Sequence, residues 1–321
     1  MDRIAIIYAG EWKTYDFSDP NNKGNQLIEG CLRSYGELPM QKIHVGRTQD
    51  TEEADLPRLI AWLRFWKPNI ILWLPHGDGL VDYLNYYSTI WNECNNICKI
   101  YMIYMDCTTD ADIRMAESIA PYVHGHINTD RNVAPRYTKD TSKYINMPCG
   151  YGRQWFYDAN KPRDKELVLL GEIHGRADRE QILANIVRED IPITTTDTLN
   201  LYVASDHATR SPIQQYVHIL QTTKLTLNLT AHPTYPILNG KWWEGLACGT
   251  CLVNMDYPGS PMSEIFIPDV DYISITPENY IEKIKYYLKN LDEAEAIARS
   301  GSEKYWHKFP PERFWHTLCN I

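Results

Sequence analysis

Short, almost entirely apolar runs constrain the fold of this chain more than any other feature. They stand at Ile4–Tyr8, Asn69–Leu74, Lys99–Met105, Leu167–Leu170 and Cys251–Asn254. A strand with one face in water alternates apolar and polar residues, whereas a strand buried on both faces is apolar throughout. Helical patterns lie between these runs, and strands that alternate with helices pair in parallel. The sequence therefore predicts an α/β fold built on parallel sheets that are covered on both faces.

A polar stretch that contains a proline divides the chain. Residues Asp158–Lys165 have the composition of a linker, and the alternation of strands and helices restarts after them. A chain of 321 residues has room for two domains of about 150 residues each. We expect Rossmann-like domains at 1–158 and 159–321, and the C-terminal helix could cross back to the first domain. Two such domains facing each other across a cleft would bind ligands at the carboxyl ends of their strands.

The charge and hydropathy of the chain limit its partners and its location. The formal net charge is −9, and no run of five or more Lys or Arg residues offsets it. Such a chain repels a phosphate backbone, so nucleic acid is a disfavoured partner. No apolar segment approaches the roughly 18 residues of a membrane span, and the sequence begins without the features of a signal peptide. We therefore expect no membrane insertion and a cytoplasmic location.

The eight cysteines include a pair, Cys248 and Cys251, with the spacing of a zinc or redox site. This pair spans a glycine turn, and no second clean pair lies near it in the sequence. We interpret the cysteines as structural thiols in a reducing compartment. The expectation is no metal site and no cofactor.

The most specific stretch of the sequence lies between Asn239 and Glu264, and its first part, Asn239–Thr250, reads NGKWWEGLACGT. A helix that begins near Gly240 and Lys241, just after Asn239, would present free backbone N–H groups and the positive end of its dipole to a diphosphate. Lys241 would add an ammonium group at the same place. We therefore predict that these three residues contact the phosphates of a nucleotide.

Two further parts of this stretch are candidates for the same ligand. Glu244 follows Lys241 by about one helical turn, where its carboxylate could bind the vicinal hydroxyls of a ribose. Gly249 and Thr250 would let the backbone approach the ligand closely. The alternative interpretation makes Glu244 a solvated helix residue and Gly249 an ordinary helix C-cap.

These residues resemble the C-terminal half of GT-B glycosyltransferases, most closely the CgeB-like group. The resemblance extends from about Leu225 to the C-terminus and is fainter at Met147–Tyr157 and before. The matching elements are Lys241, Glu244, Ala247-Cys248-Gly249, Glu264-Ile265-Phe266 and Ala294–Gly301. The resemblance implies a hexosyltransferase-like enzyme that moves a sugar from a UDP- or GDP-sugar to an unidentified acceptor. That acceptor could be a glycan, a protein, a small molecule or, as a narrower variant, a modified DNA base.

The resemblance also assigns the loop after the first strand of the second domain. In the family this loop faces the donor phosphates, and here it carries Gly171, His174 and Arg176. Arg176 is the side chain best placed to offset the charge of the diphosphate. Enzymes of this fold replace a divalent cation with side chains and a helix dipole, so the resemblance implies a metal-independent reaction.

Candidates for catalysis in the first domain lie just after predicted strands. Asp106 or Asp78 could deprotonate the acceptor hydroxyl if the transfer inverts the anomeric centre. Carboxylates at such positions also serve in helix caps and Asx-turns, which is the competing interpretation. Gly10, His76 and His124 are the predicted contacts to the sugar or the acceptor.

Two departures from the family pattern leave the stereochemistry open. Pro236 stands where retaining members carry a second glutamate, and Lys241 replaces the usual arginine, so that one ammonium takes the place of a bidentate fork. A non-catalytic protein that binds a nucleotide-sugar or a carbohydrate is therefore an alternative. An epimerase of similar architecture would need paired carboxylates around one sugar carbon, and the sequence offers no convincing pair.

Overall fold

The computed structural model describes residues 4–10, 41–46, 60–61, 63–65, 67–75, 84–104, 110–129, 141–148, 153, 156–171, 173, 175–195, 213–229, 240–258 and 262–321. These residues fall into two compact units. The first comprises described residues up to Pro148 together with Phe314–Ile321, and the second comprises those from Arg153 to Arg313. The predicted division between residues 158 and 159 stays a prediction. No helix within the described ranges is long and apolar enough to cross a membrane.

The regular elements of the described residues alternate as the sequence predicted. The strands are β1 Ile4–Gly10, β2 Gln41–Gly46, β3 Ile70–Pro75, β4 Lys99–Tyr104, β5 Gly125–Asn128, β6 Tyr144–Asn146, β7 Lys165–Leu169, β8 Ile193–Thr195, β9 Thr223–Asn228, β10 Cys251–Met255 and β11 Ile273–Ile275. The helices are α1 Leu84–Asn95, α2 Asp110–Ile119, α3 Ala177–Arg188, α4 Ile213–Gln221, α5 Gly240–Ala247, α6 Tyr280–Lys289, α7 Leu291–Lys308 and α8 Pro311–Cys319.

The first unit is built on a six-stranded parallel sheet in the order β2-β1-β3-β4-β5-β6. The apolar runs predicted as strands form β1, β3 and β4. Trp73 of β3 is fully buried, and its ring contacts that of Trp91 in α1 edge to face at 5.9 Å between centroids. The prediction of parallel sheets is confirmed for this unit.

The second unit contains a five-stranded parallel sheet in the order β11-β10-β9-β7-β8. Successive residues of a strand point to opposite faces. In β7, Leu167 and Leu169 pack in one hydrophobic cluster, whereas Val168 and, just after the strand, Leu170 pack in another. Both faces of the sheet are therefore covered, which explains why the run Leu167–Leu170 contains no polar residue.

A buried histidine gives the first unit a predictable dependence on pH. His126 lies in β5 with no exposed surface, and its ring stacks on that of Tyr144 at 4.8 Å between centroids. Burial, and to a lesser extent the nearby charge of Lys143, lower the pKa of His126 from 6.5 to about 3. Between these two values the unfolded chain binds a proton that the folded chain excludes. The contribution of His126 to stability is therefore complete above pH 6.5 and is lost as the pH falls through this window.

We expect acidification from pH 7 to pH 5 to lower the free energy of unfolding by about 2 kcal/mol more in the wild type than in His126→Phe. Phenylalanine keeps an aromatic ring beside Tyr144 but cannot take up a proton. Urea unfolding at the two pH values measures this difference. Equal losses of stability in the two proteins would show that His126 does not resist protonation in the folded state.

Candidate functional site

The topology of the second sheet marks one place where a ligand can bind. The chain runs from β7 through α3 to β8 on one side, and β9 then pairs with β7 on its other side. The strand order therefore reverses between β7 and β9. Open α/β sheets bind ligands at the carboxyl ends of strands at such a switch point. Gly171 follows β7 closely, and α5 is the next described helix after β9.

Two predicted donor-binding residues meet at this point. Gly171 has a φ of +131°, which residues with a side chain rarely adopt. A methyl group added at Gly171 would lie 1.6 Å from Nζ of Lys241 and 2.9 Å from its Cε. The ammonium of Lys241 therefore rests directly against the backbone of Gly171, in space that only glycine leaves open.

Two buried tryptophans of α5 fix the position of this helix, and with it the position of its N-terminus. Trp242 and Trp243 are 1% and 3% exposed, and their rings pack on Tyr272 at 5.4 Å and Tyr305 at 5.6 Å respectively. The two tryptophans hold the helix on the sheet, while Gly240 and Lys241 at its N-terminus are only half-buried. The first turn of a helix has backbone N–H groups without intrahelical partners, and these can bind an anion.

Glu244 lies one turn further along α5 and is 4% exposed. The hydroxyl of Tyr216 in α4 donates a hydrogen bond to its Oε2. The alternative interpretation of Glu244 as a solvated helix residue is therefore wrong. A carboxylate at this depth requires hydrogen-bond donors, because burying a charge without them is costly.

The two arginines at the start of α3, Arg176 just before the helix and Arg179 in its first turn, are placed differently. Arg176 is half-exposed at the start of α3, with Nε 3.9 Å from Oδ1 of Asp178. Arg179 is 8% exposed, and its guanidinium donates a hydrogen bond of 3.1 Å to the carbonyl of Leu229, just after β9. Arg176 is thus close to Asp178 in the first turn of α3, whereas Arg179 joins α3 to the end of the neighbouring strand.

Gly249 and Thr250 are not grouped with Gly171 and Lys241. They follow the C-terminus of α5 and precede β10, so they lie at the opposite end of the helix from Lys241, about 13 Å away at 1.5 Å per residue. Thr250 is fully buried and donates a hydrogen bond of 2.7 Å to the carbonyl of Leu220. The structure corrects the prediction that these two residues contact the donor. They lie at the amino ends of the strands, where they take part in packing within the unit.

A polar network at the carboxyl ends of β9, β10 and β11 was missed by the sequence prediction. Asp256 accepts hydrogen bonds from Nδ2 of Asn254 at 2.7 Å, the hydroxyl of Tyr272 at 2.8 Å and that of Ser274 at 2.5 Å. Asn254 in turn accepts a hydrogen bond of 2.7 Å from Asn228. The signal was an asparagine near the carboxyl end of each of two neighbouring strands, Asn228 in β9 and Asn254 in β10, which can indicate polar groups gathered at one edge of a sheet.

In the first unit, the structure describes Gly10 and His124 among the predicted site residues. Gly10 is the last residue of β1 and so lies at the carboxyl end of this strand, where a contact with the sugar or the acceptor was expected. His124 precedes β5, and its Nδ1 accepts a hydrogen bond of 3.1 Å from the N–H of Ile100 near the start of β4. This position is at the amino ends of the strands, so the predicted contact of His124 with the sugar or the acceptor is corrected. The candidates that lie outside the described residues are His76, Asp78, Asp106, His174 and Asn239.

The cysteines whose side chains the structure describes are free thiols. They are Cys94, Cys98, Cys248 and Cys251. Burial raises the pKa of Cys94 and of Cys98 to about 12 and raises that of the other two as well. Thiols with a raised pKa are weak nucleophiles, in keeping with structural roles.

Comparison with known protein families gives a match in the C-terminal part of the chain. Residues 173–320 match a protein-family model described as glycosyl transferase-like. This region contains Lys241, Glu244 and most of the second unit. No curated protein matches the chain in sequence at a significant level.

Solved structures similar to the chain include three glycosyltransferase-fold proteins. HepE (Alr3699) of Anabaena, solved in complex with UDP-glucose, has a TM-score of 0.62 and 9% identity, with 99% of this chain and 100% of that chain covered. An alpha-glucosyltransferase solved with UDP and a 13-mer DNA has a TM-score of 0.68 and 11% identity, with 100% and 99% covered. TarM has a TM-score of 0.57 and 12% identity, with 83% and 58% covered, so this chain spans less than two thirds of TarM.

At these identities the structural likeness establishes the fold alone, which is the GT-B fold with two Rossmann-like domains. The predicted membership of the CgeB-like group stays a prediction. Residues 173–320 match the glycosyl transferase-like family model, and the fold of the chain is that of GT-B glycosyltransferases.

Proposed function

We propose that the chain transfers a hexosyl group from a UDP- or GDP-sugar to an acceptor hydroxyl. The observation that carries this proposal is the ammonium of Lys241 resting against Gly171 at the switch point of the second sheet. A cation held there, beside the first turn of α5, suits the diphosphate of a nucleotide. HepE and the alpha-glucosyltransferase were solved with UDP-glucose and UDP, which favours a uridine donor.

In this proposal the same groups act on the leaving nucleoside diphosphate. Negative charge develops on the β-phosphate as the bond to the sugar breaks, and fixed positive groups stabilise that charge. Lys241, the N-terminus of α5 and Arg176 would supply the positive charge, so that transfer would need no divalent cation. A transfer rate that stays unchanged in EDTA supports this part, and a rate restored only by added Mg²⁺ or Mn²⁺ contradicts it.

Glu244 would bind the ribose of the donor. Tyr216 is the hydrogen-bond donor to its carboxylate among the described residues. Two vicinal hydroxyls would add the donors that a buried carboxylate needs, and hydrogen bonds to a charged group are stronger than those between neutral groups. The donor would thus be held at two points on α5, with its phosphates at Lys241 and its ribose at Glu244.

Calorimetric titration with UDP, GDP and ADP tests the donor side. We expect saturable binding of UDP or GDP, and we expect Glu244→Gln to weaken it at least about tenfold, since a hydrogen bond to a charged group contributes about 1.5–3 kcal/mol. Glu295→Gln is the matched control, because Glu295 is an exposed glutamate in α7 of the same unit. Absence of heat with all three nucleotides, or an equal effect of both substitutions, would contradict the proposal.

The residues proposed to act on the acceptor belong to the first unit. Asp106, or else Asp78, is proposed as the base if the transfer inverts the anomeric centre, and the stereochemistry stays open. DNA is a second candidate acceptor, because the alpha-glucosyltransferase of similar fold was solved with DNA. The net charge of −9 disfavours it. Duplex binding that weakens steeply with salt would favour DNA, and its absence would leave a glycan, a protein or a small molecule.

A further inference from the structure

The contact between Tyr216 and Glu244 joins two helices at the donor site. Both side chains are 4% exposed, and the tyrosine hydroxyl donates to one carboxylate oxygen, Oε2. Tyr216 belongs to the hydrophobic cluster that also contains Trp242, Trp243 and Leu246 of α5. The ring of Tyr216 is therefore held by packing, and its hydroxyl has a fixed place from which to bind the carboxylate.

A single fixed donor has a geometric consequence for Glu244. The terminal torsion of a glutamate is broad, so the plane of an unconstrained carboxylate turns easily. A hydrogen bond to Oε2 restricts this rotation and thereby fixes the direction of Oε1. A binding group whose orientation is set before the ligand arrives loses less entropy on binding.

We propose that Tyr216 is a positioning residue that holds Oε2 of Glu244 so that Oε1 faces the ribose hydroxyls of the nucleotide donor. This inference rests on the proposed function, because it requires a ribose at Glu244. It differs from a purely structural role, in which Tyr216 only satisfies a buried charge and stabilises the fold. The two roles give different results with ligands that lack the ribose hydroxyls.

The test is calorimetric titration of the wild type and Tyr216→Phe with UDP and with 2′,3′-dideoxyuridine 5′-diphosphate. The guanosine pair replaces them if GDP binds more tightly. We expect the substitution to weaken UDP binding about tenfold, the size of one hydrogen bond to a charged group. The affinity for the dideoxy compound is expected to stay within about twofold, because that ligand cannot use Glu244.

Tyr280→Phe is the matched control. Tyr280 is a buried tyrosine of the same unit whose hydroxyl accepts a hydrogen bond of 2.7 Å from Asn185, and its loss should leave both affinities unchanged. Equal weakening of both ligands by Tyr216→Phe, or no effect on UDP, would overturn the positioning role. A wild type that binds no nucleoside diphosphate would instead refute the proposed function.

A second measurement does not depend on the folding of the variant. In a crystal structure of the wild type with UDP, we expect Oε1 of Glu244 within about 3.2 Å of a ribose hydroxyl while Tyr216 stays on Oε2. A ribose that contacts Oε2, with the tyrosine hydroxyl displaced, would contradict the inference while leaving the donor site in place.

Discussion

Substitution of Gly171 by alanine is expected to weaken UDP binding about 100-fold. The added methyl carbon would lie 1.6 Å from Nζ of Lys241, so the ammonium must leave its position. The φ of +131° adds backbone strain, which costs of order 1–3 kcal/mol for a residue with a side chain. Loss of a charge-assisted contact to a phosphate contributes about 1.5–3 kcal/mol on its own.

Gly175→Ala separates these two causes. Gly175 lies in the same loop with a φ of +76°, and a methyl group there would meet no atom within 4 Å. We expect this variant to lose stability through strain but to keep most of its affinity for UDP, whereas Lys241→Met should lose affinity without strain. A Gly171→Ala protein that binds UDP like the wild type would show that the position of Lys241 does not matter for the nucleotide.

The second large effect concerns stability. Arg163→Met is expected to lower the free energy of unfolding of the second unit by about 3 kcal/mol, because it leaves several carbonyls without their donor. The guanidinium of Arg163 donates hydrogen bonds to the carbonyls of Leu220 at 3.2 Å, Thr223 at 2.9 Å, Cys248 at 3.2 Å and Gly249 at 2.7 Å, and to Oγ1 of Thr250 at 3.3 Å. Its side chain is only 17% exposed.

Urea unfolding measures this effect, and Arg188→Met is the control. Arg188 is exposed at the end of α3, where a substitution is expected to change stability by no more than about 0.5 kcal/mol. Because Arg163 binds the amino ends of the strands, UDP affinity should be unchanged in the folded variant. Equal stabilities of the two variants would mean that the hydrogen bonds of Arg163 are replaced by water at no cost.

The sequence predicted the parallel sheets because their strands are buried on both faces, as Leu167 and Val168 of β7 illustrate. It missed β8 and β11, which have three residues each and are too short for a pattern. It also missed α4, although Ile213, Tyr216, Val217 and Leu220 have helical spacing. Strand pairing in the complete sheet, rather than local pattern, decides whether such short segments become strands.

The candidate site was predictable where one helix carries it and unpredictable where distant segments meet. Lys241 and Glu244 were predicted from one helix and from its resemblance to GT-B glycosyltransferases, and the length of α5 could already have placed Gly249 at its far end. The meeting of Lys241 with Gly171 and of Glu244 with Tyr216 depends on the strand order of the sheet. Arg163 stood in a stretch interpreted as a linker, because composition does not reveal which carbonyls a guanidinium will reach.

A crystal structure of the chain with UDP, or with GDP if that binds more tightly, tests the central proposal most directly. We predict the diphosphate at the N-terminus of α5, within hydrogen-bond distance of Nζ of Lys241 and beside Gly171, and the ribose hydroxyls at Glu244. A nucleotide bound elsewhere in the second unit, with Lys241 still against Gly171 and Glu244 buried out of reach of the ribose, would contradict it.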